Sequence, residues 1–223
     1  MIPPAVEFLE KPKAILFDWD NTLVDSWAII FDALNFTLKA FDKETWTMNQ
    51  TMEGVRKSMR DSFPTLFGED WEQAADVFYG RFDDIHISRL SPFDGAAEML
   101  ADFSARGIFL GVVSNKRGEY LRKEVSHLGW DKHFSSLVGA MDAKKDKPAT
   151  DPVELALAGS DHKEGGQVWF VGDADIDMEC AVNANLAPVL LRQAPPGHEE
   201  FNGFQPLYHI ENCQALSKLV VNM

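Results

Sequence analysis

Apolar residues fall along this chain in two rhythms. Short, mostly apolar runs occupy Ala14–Phe17, Ile108–Val113, Gln167–Gly172 and Pro188–Leu191, with a weaker one at Leu207–Ile210. Runs of that length, bounded by polar or acidic residues, are the pattern of strands buried on both faces of a parallel sheet. Between them, helical spacing of the apolar positions predicts helices over Gly95–Arg106, Gly118–Leu128, Pro152–Leu157, Ile176–Asn185 and Cys213–Val221. Strand alternating with helix predicts an α/β fold built on a doubly wound parallel sheet.

The segment Val24–Leu90 breaks that alternation. Trp27, Ile30, Phe31, Leu34 and Leu38, then Trp71, Ala74, Ala75, Phe78 and Phe82, repeat at helical spacing without an intervening strand. The chain therefore leaves the sheet after its first strand and returns near Ser91-Pro92-Phe93, the wiring of a helical cap. The expected division is an α/β core of residues 1–23 and 91–223 with a helical cap of residues 24–90.

Composition narrows the function. At 223 residues, 45% hydrophobic and 25% charged, the chain is long enough for one large domain with an insertion. Its net charge of -14 repels nucleic-acid backbones and anionic membrane surfaces, so neither is an expected partner. A small anionic substrate remains compatible with that charge, because a bound cation reverses the local potential. Cys180 and Cys213 lack disulfide or thiolate-cage spacing, the N-terminus has no signal-peptide pattern, and no apolar stretch is long enough for a membrane span. The expected location is the cytoplasm.

Candidate chemistry sits at the strand ends. Asp18 and Asp20 alternate along an extended chain and project the same way from the carboxyl end of the first strand, where open α/β sheets bind ligands. Two carboxylates that close call for Mg2+ or a shared proton. The next run ends in Ser114-Asn115-Lys116, a hydroxyl and amide donors suited to an anion. One lysine of Lys144, Lys145 and Lys147 supplies a fixed positive charge. A later run ends in Gly172-Asp173-Ala174-Asp175-Ile176-Asp177, where Asp173 and Asp177 share a helical face or converge across the turn; either arrangement suits a divalent metal.

In order, Asp18-Trp19-Asp20-Asn21-Thr22, Ser114, Lys147-Pro148 and Gly172-Asp173 through Asp177 resemble the four motifs of the haloacid dehalogenase superfamily. The match spans most of the chain and is nearest to the phosphoglycolate phosphatase-like and β-phosphoglucomutase-like branch, with its Rossmann-like core and helical cap. The resemblance implies a Mg2+-dependent phosphatase acting on a small phosphorylated metabolite. Asp18 would be the nucleophile and Asp20 the general acid and base. Ser114, the backbone amide of Asn115, and Lys147 would bind the phosphoryl oxygens. Asp18, the backbone carbonyl of Asp20, Asp173 and Asp177 would hold Mg2+. The proline after Lys147 selects it over Lys144 and Lys145, and spacing selects Asp177 over Asp175. Asp20 argues for phosphate esters, since relatives that dehalogenate or cleave phosphonates lack an acid there.

A phosphomutase uses the same core residues, and a non-catalytic phosphate- or partner-binding member keeps the fold. Substrate choice would lie in the cap, with Arg56, Lys57, Arg60 and Arg81 as candidates for a substrate anion, and cap hinges are expected near Leu23–Ser26 and Leu90–Phe93. Asn185 stands where relatives often carry glycine.

Overall fold

The computed structural model describes residues 10–55, 57–197 and 199–223. Its first strand is β1 (Ala14–Phe17), followed by β2 (Val24–Asp25), α1 (Trp27–Ala40), α2 (Met48–Gly54), α3 (Met59–Phe67), α4 (Trp71–Arg89) and β3 (Ser91–Pro92). The chain then alternates through α5 (Ala96–Ala105), β4 (Phe109–Arg117), α6 (Gly118–His127), β5 (Ser136–Ala140), α7 (Asp151–Ala156) and β6 (Gly165–Gly172). It closes with α8 (Asp175–Asn183), β7 (Leu186–Leu191), β8 (Tyr208–Ile210) and α9 (Cys213–Val221).

Six strands form one parallel sheet in the order β5-β4-β1-β6-β7-β8. All four residues of β1 are buried, because alternate side chains serve opposite layers. Ile15 and Phe17 pack with Met99, Leu100 and Phe103 of α5 and Leu121 of α6, whereas Ala14 and Leu16 pack with Val153 of α7 and Cys180 of α8. This double cover is why the strands read as unbroken apolar runs. The sequence of crossovers leaves β1 flanked by β4 and β6, so the carboxyl ends of these three strands meet where the winding reverses, the usual place for a ligand.

β5 is a strand that the apolar pattern does not announce. It is the sheet edge, two of its five residues are only half-buried, and it contains Gly139, where a side chain would strike the backbone of Gly118. β4 also runs past the apolar stretch to Arg117, with its register against β5 broken between Val113 and Arg117. Ser114 and Asn115 consequently sit in an extended strand end and not in a helix turn. Asn185 follows α8 with φ 56, the left-handed conformation that asparagine tolerates.

α1 to α4 form a helical insertion with its own core. Ile29, Ala33, Leu34 and Leu38 of α1 pack on Phe63 and Phe67 of α3 and on Phe78 and Phe82 of α4. The two segments that connect the insertion to the sheet pair with each other: β2 and β3 form an antiparallel ribbon, Val24 opposite Pro92 and Asp25 opposite Ser91.

Candidate active site

Asp18 leaves β1 with its N–H still bonded to the Val171 carbonyl, so the sheet ladder fixes its backbone. The chain then turns sharply. Asn21 has φ 63, its N–H donates to the Val24 carbonyl, and its side-chain Oδ1 accepts the N–H of Ser26. The turn sends Asp18 and Asp20 to different partners within one cavity.

The Asp18 partner is Lys147. Its Nζ lies 2.6 Å from Asp18 Oδ1 and 2.7 Å from Asp177 Oδ1, with all three side chains nearly sealed from water. Lys144 and Lys145 are exposed and do not line the cavity. Asp173 lies in the turn before α8, where its Oδ1 accepts from Thr22 Oγ1 at 3.3 Å and its backbone carbonyl accepts from Arg192 Nη1 at 3.0 Å. Asp177 sits in the first turn of α8 and its Oδ2 accepts the Ala174 N–H at 3.0 Å, which caps the helix. The arrangement is thus convergence across a turn, with Asp173 outside the helix.

Carboxylate oxygens of Asp18, Asp173 and Asp177 all lie within 4.8 Å of one another. Burial, opposed by Lys147 and reinforced by Asp177, pushes the Asp18 carboxyl up to about 7. Burial, then Asp177 and Asp18, raise Asp173 well above the carboxylate range. Burial works against the charge on Lys147, but Asp177 and Asp18 outweigh it and hold the ammonium above the ordinary lysine range. Three carboxylates facing a single ammonium form an oxygen-donor set with excess negative charge, which fits a hard divalent cation such as Mg2+. The Asp20 carboxylate lies outside this cluster.

Asp20 instead meets Lys116, whose Nζ is 2.7 Å from Asp20 Oδ1 and 2.6 Å from Glu124 Oε2. Glu124, fully buried on α6, also accepts from Trp19 Nε1 at 2.6 Å and from His86 Nδ1 at 2.8 Å. Burial disfavours the Lys116 charge, yet Asp20 and Glu124 raise its pKa; burial likewise works against the Glu124 charge, and Lys116 with His86 holds that carboxyl below its usual range. Lys116, Glu124 and His86 are missing from the sequence-based candidates. Only the Lys116 position beside Ser114-Asn115 hinted at a role.

Ser114 is buried, and its Oγ accepts the Lys116 N–H at 3.2 Å. The Asn115 side chain bonds the backbone of Lys147 through both its oxygen and its nitrogen. Asp18, Asp20, Ser114, Asn115, Lys147, Asp173 and Asp177 therefore line one cavity of about 990 Å³. Its opposite wall comes from the insertion and is largely apolar, with Leu34, Met59, Phe63 and Phe82.

The candidate cap cations divide. Lys57 is exposed and lines the cavity. Arg60 pairs with the buried Asp146 at 2.6 Å and Arg81 with Asp32 at 2.7 Å; neither lines the cavity. Arg56 lies outside the described residues.

The model of the haloacid dehalogenase-like hydrolase family matches residues 15–190. The chain is 24% identical over 208 residues to the pyrophosphatase PpaX of Halalkalibacterium halodurans, covering 93% of this chain and 96% of that protein. It is 28% identical over 216 residues to the phosphoglycolate phosphatase of Aquifex aeolicus, covering 94% and 97%. Its fold matches that of a haloacid dehalogenase-like hydrolase of Streptococcus pneumoniae with a TM-score of 0.81 at 20% identity, over 96% of this chain and 99% of that one.

Proposed function

Because the chain belongs to the haloacid dehalogenase-like hydrolase family, we propose that it is a Mg2+-dependent phosphatase that hydrolyses a small phosphorylated metabolite through an aspartyl-phosphate on Asp18. The observation that carries this reading is Asp18 itself, held by Lys147 at 2.6 Å beside Asp173 and Asp177 on the cavity that Asp20 also lines. A carboxylate so held is pre-positioned as a nucleophile, and its neighbours neutralise the charge that phosphoryl transfer gathers on oxygen.

Asp18 attacks phosphorus in line, and Ser114 Oγ, the Asn115 N–H and Lys147 bind the phosphoryl oxygens. Asp20 gives a proton to the leaving oxygen and then takes one from the water that releases phosphate. Asp18, Asp173, Asp177 and the Asp20 carbonyl are the groups that hold Mg2+, which supplies charge stabilisation at the phosphoryl oxygens when bound. Residues 24–90 act as the cap, with hinges at Leu23–Ser26 and Leu90–Phe93, and its apolar wall excludes bulk water from the first step.

The similar pyrophosphatase and phosphoglycolate phosphatase point to compact phosphorylated substrates, and these are the first to assay. Both cysteines are free and buried, and no helix among the described residues is long and apolar enough to cross a membrane. The free cysteines support a reducing, cytoplasmic setting for the enzyme. The test is hydrolysis of an aryl phosphate with Mg2+ and with chelator, in the wild type and in Asp18→Asn. Metal-dependent turnover that the substitution abolishes supports the reading; turnover that survives it refutes the role given to Asp18.

A further inference from the structure

We propose that Lys116 is a positioning residue that fixes the carboxyl of Asp20 for proton transfer, anchored in turn by Glu124, His86 and Trp19. The inference rests on the reading of Asp20 as the acid and base of a phosphatase. Lys116 reaches back from the end of β4 to put Nζ 2.7 Å from Asp20 Oδ1 and 2.6 Å from Glu124 Oε2, and its side chain is 6% exposed. The ammonium also lies 5.2 Å from the centre of the Phe82 ring.

Burying a lysine and a glutamate together costs several kcal/mol of hydration per ion, which their attraction recovers only with good geometry. Apolar residues of similar volume would fill the same space at no such cost. What the ionic pair adds is direction. Glu124 is bonded from three sides, by Lys116 and Trp19 on Oε2 and by His86 on Oε1. Since the Glu124 carboxylate only accepts, His86 Nδ1 carries the proton in that contact. An ammonium held this way has one place, and Asp20 Oδ1 meets it there. That oxygen is buried, and among the described residues the Lys116 ammonium is the partner that compensates it.

The chemical consequence concerns which oxygen of Asp20 works. With Oδ1 committed to Lys116, the transferable proton resides on Oδ2. As Asp18 forms its bond to phosphorus, the bond from phosphorus to the leaving oxygen breaks and the Oδ2 proton passes to that oxygen, giving the free alcohol. Asp20, now a carboxylate, removes a proton from water as the water oxygen bonds to phosphorus. The bond from phosphorus to Asp18 then breaks, returning the Asp18 carboxylate, inorganic phosphate and a protonated Asp20. Lys116 lines the cavity beside Asp20, and in this scheme it acts through Asp20 and transfers no proton itself. The anchor also spans the molecule, because His86 belongs to α4 of the insertion and Trp19 and Glu124 to the α/β core.

The test is the dependence of kcat/KM on the leaving group in Lys116→Met and Lys116→Arg. Proton donation matters for an alkoxide and hardly at all for p-nitrophenolate, which leaves without it. We expect Lys116→Met to lower kcat/KM about 100-fold for an alkyl phosphate that the wild type accepts, but less than about tenfold for p-nitrophenyl phosphate, and Lys116→Arg to recover at least half of the logarithmic loss. An equal fall for both substrates, or no fall, overturns the proposal, since a merely structural lysine does not distinguish leaving groups. Should the methionine variant not fold, Glu124→Gln carries the same test, because Glu124 does not line the cavity; the same selective loss on the alkyl phosphate is expected, and an equal loss overturns it. A wild type that hydrolyses neither substrate refutes the phosphatase reading itself and is distinguishable from both results.

Discussion

The side-chain amide of Asn115 clamps both backbone groups of Lys147, 32 residues away: Oδ1 accepts the Lys147 N–H at 3.0 Å and Nδ2 donates to its carbonyl at 3.3 Å. The end of β4 thereby sets where Lys147 stands relative to Asp18. Each hydrogen bond contributes about 1 kcal/mol to stability, but its larger role is placement, since a shift of about 1 Å at a catalytic group costs on the order of 100-fold in rate. Asn115→Ala is expected to lower kcat about 10- to 100-fold with a loss of about 2 kcal/mol or less, read by steady-state kinetics beside thermal melts.

Among the described residues, Lys147 is the single cation inside the carboxylate cluster. Lys147→Met leaves Asp18, Asp173 and Asp177 without it, and breaking such a buried pair costs about 3–5 kcal/mol. The variant is expected to melt well below the wild type in chelator and to gain more than the wild type when Mg2+ is added, because the cation then replaces the lost charge. Melts of both proteins with and without Mg2+ check this; an equal Mg2+ response in the two would contradict it. Turnover of the variant is expected to fall at least about 100-fold.

Gly172 admits no side chain, since a Cβ there would run into the carboxyl group of Asp177. Gly172→Ala is expected to displace Asp177 and raise the Mg2+ concentration needed for half-maximal activity about 10- to 100-fold, the range for disturbed metal-site support. Gly80, inside α4, has open space around it. Gly80→Ala is the control and is expected to stabilise the protein by about 1 kcal/mol with no change in Mg2+ requirement.

Asp32 of α1 takes Arg81 on both oxygens, at 2.7 and 3.1 Å, and Arg89 on one, at 2.9 Å. The Arg81 hydrogen bonds outweigh the opposing effect of burial and, with help from Arg89, hold the Asp32 carboxyl below its ordinary range. A carboxyl depressed in the folded state contributes stability above the unfolded pKa, about 3.9, and loses it as pH falls through the folded value. Asp32→Asn is therefore expected to destabilise by about 1 kcal/mol at neutral pH, with the gap to wild type closing below about pH 4. Denaturant melts across that range measure it.

The strands that flank the site were legible because β1, β4, β6 and β7 are buried on both faces and leave uninterrupted apolar runs. Asp18 and Asp173 stood out as candidates because each stands directly after such a run, Asp20 and Asp177 by their spacing from these two, and Lys147 by the proline that follows it. β5 was not, since an edge strand with Gly139 and two half-buried residues lacks that signature. Arg60 and Arg81 read as substrate-binding candidates, yet the partners that withdraw them, Asp146 and Asp32, lie far away in sequence. The Lys116–Glu124 pair was hidden for a different reason. Charged residues eight apart on a strand end and a helix read as solvated, and only the packed structure encloses them with Trp19 and His86.

The most direct test of a phosphoryl group carried on Asp18 is acid quenching of the enzyme during turnover of a radiolabelled phosphate ester with Mg2+, followed by mapping of the protein-bound label. The expected result is a hydroxylamine-labile label on the peptide containing Asp18, absent with chelator and absent in Asp18→Asn. Label on any other residue, or turnover of Asp18→Asn at the wild-type rate, would contradict it.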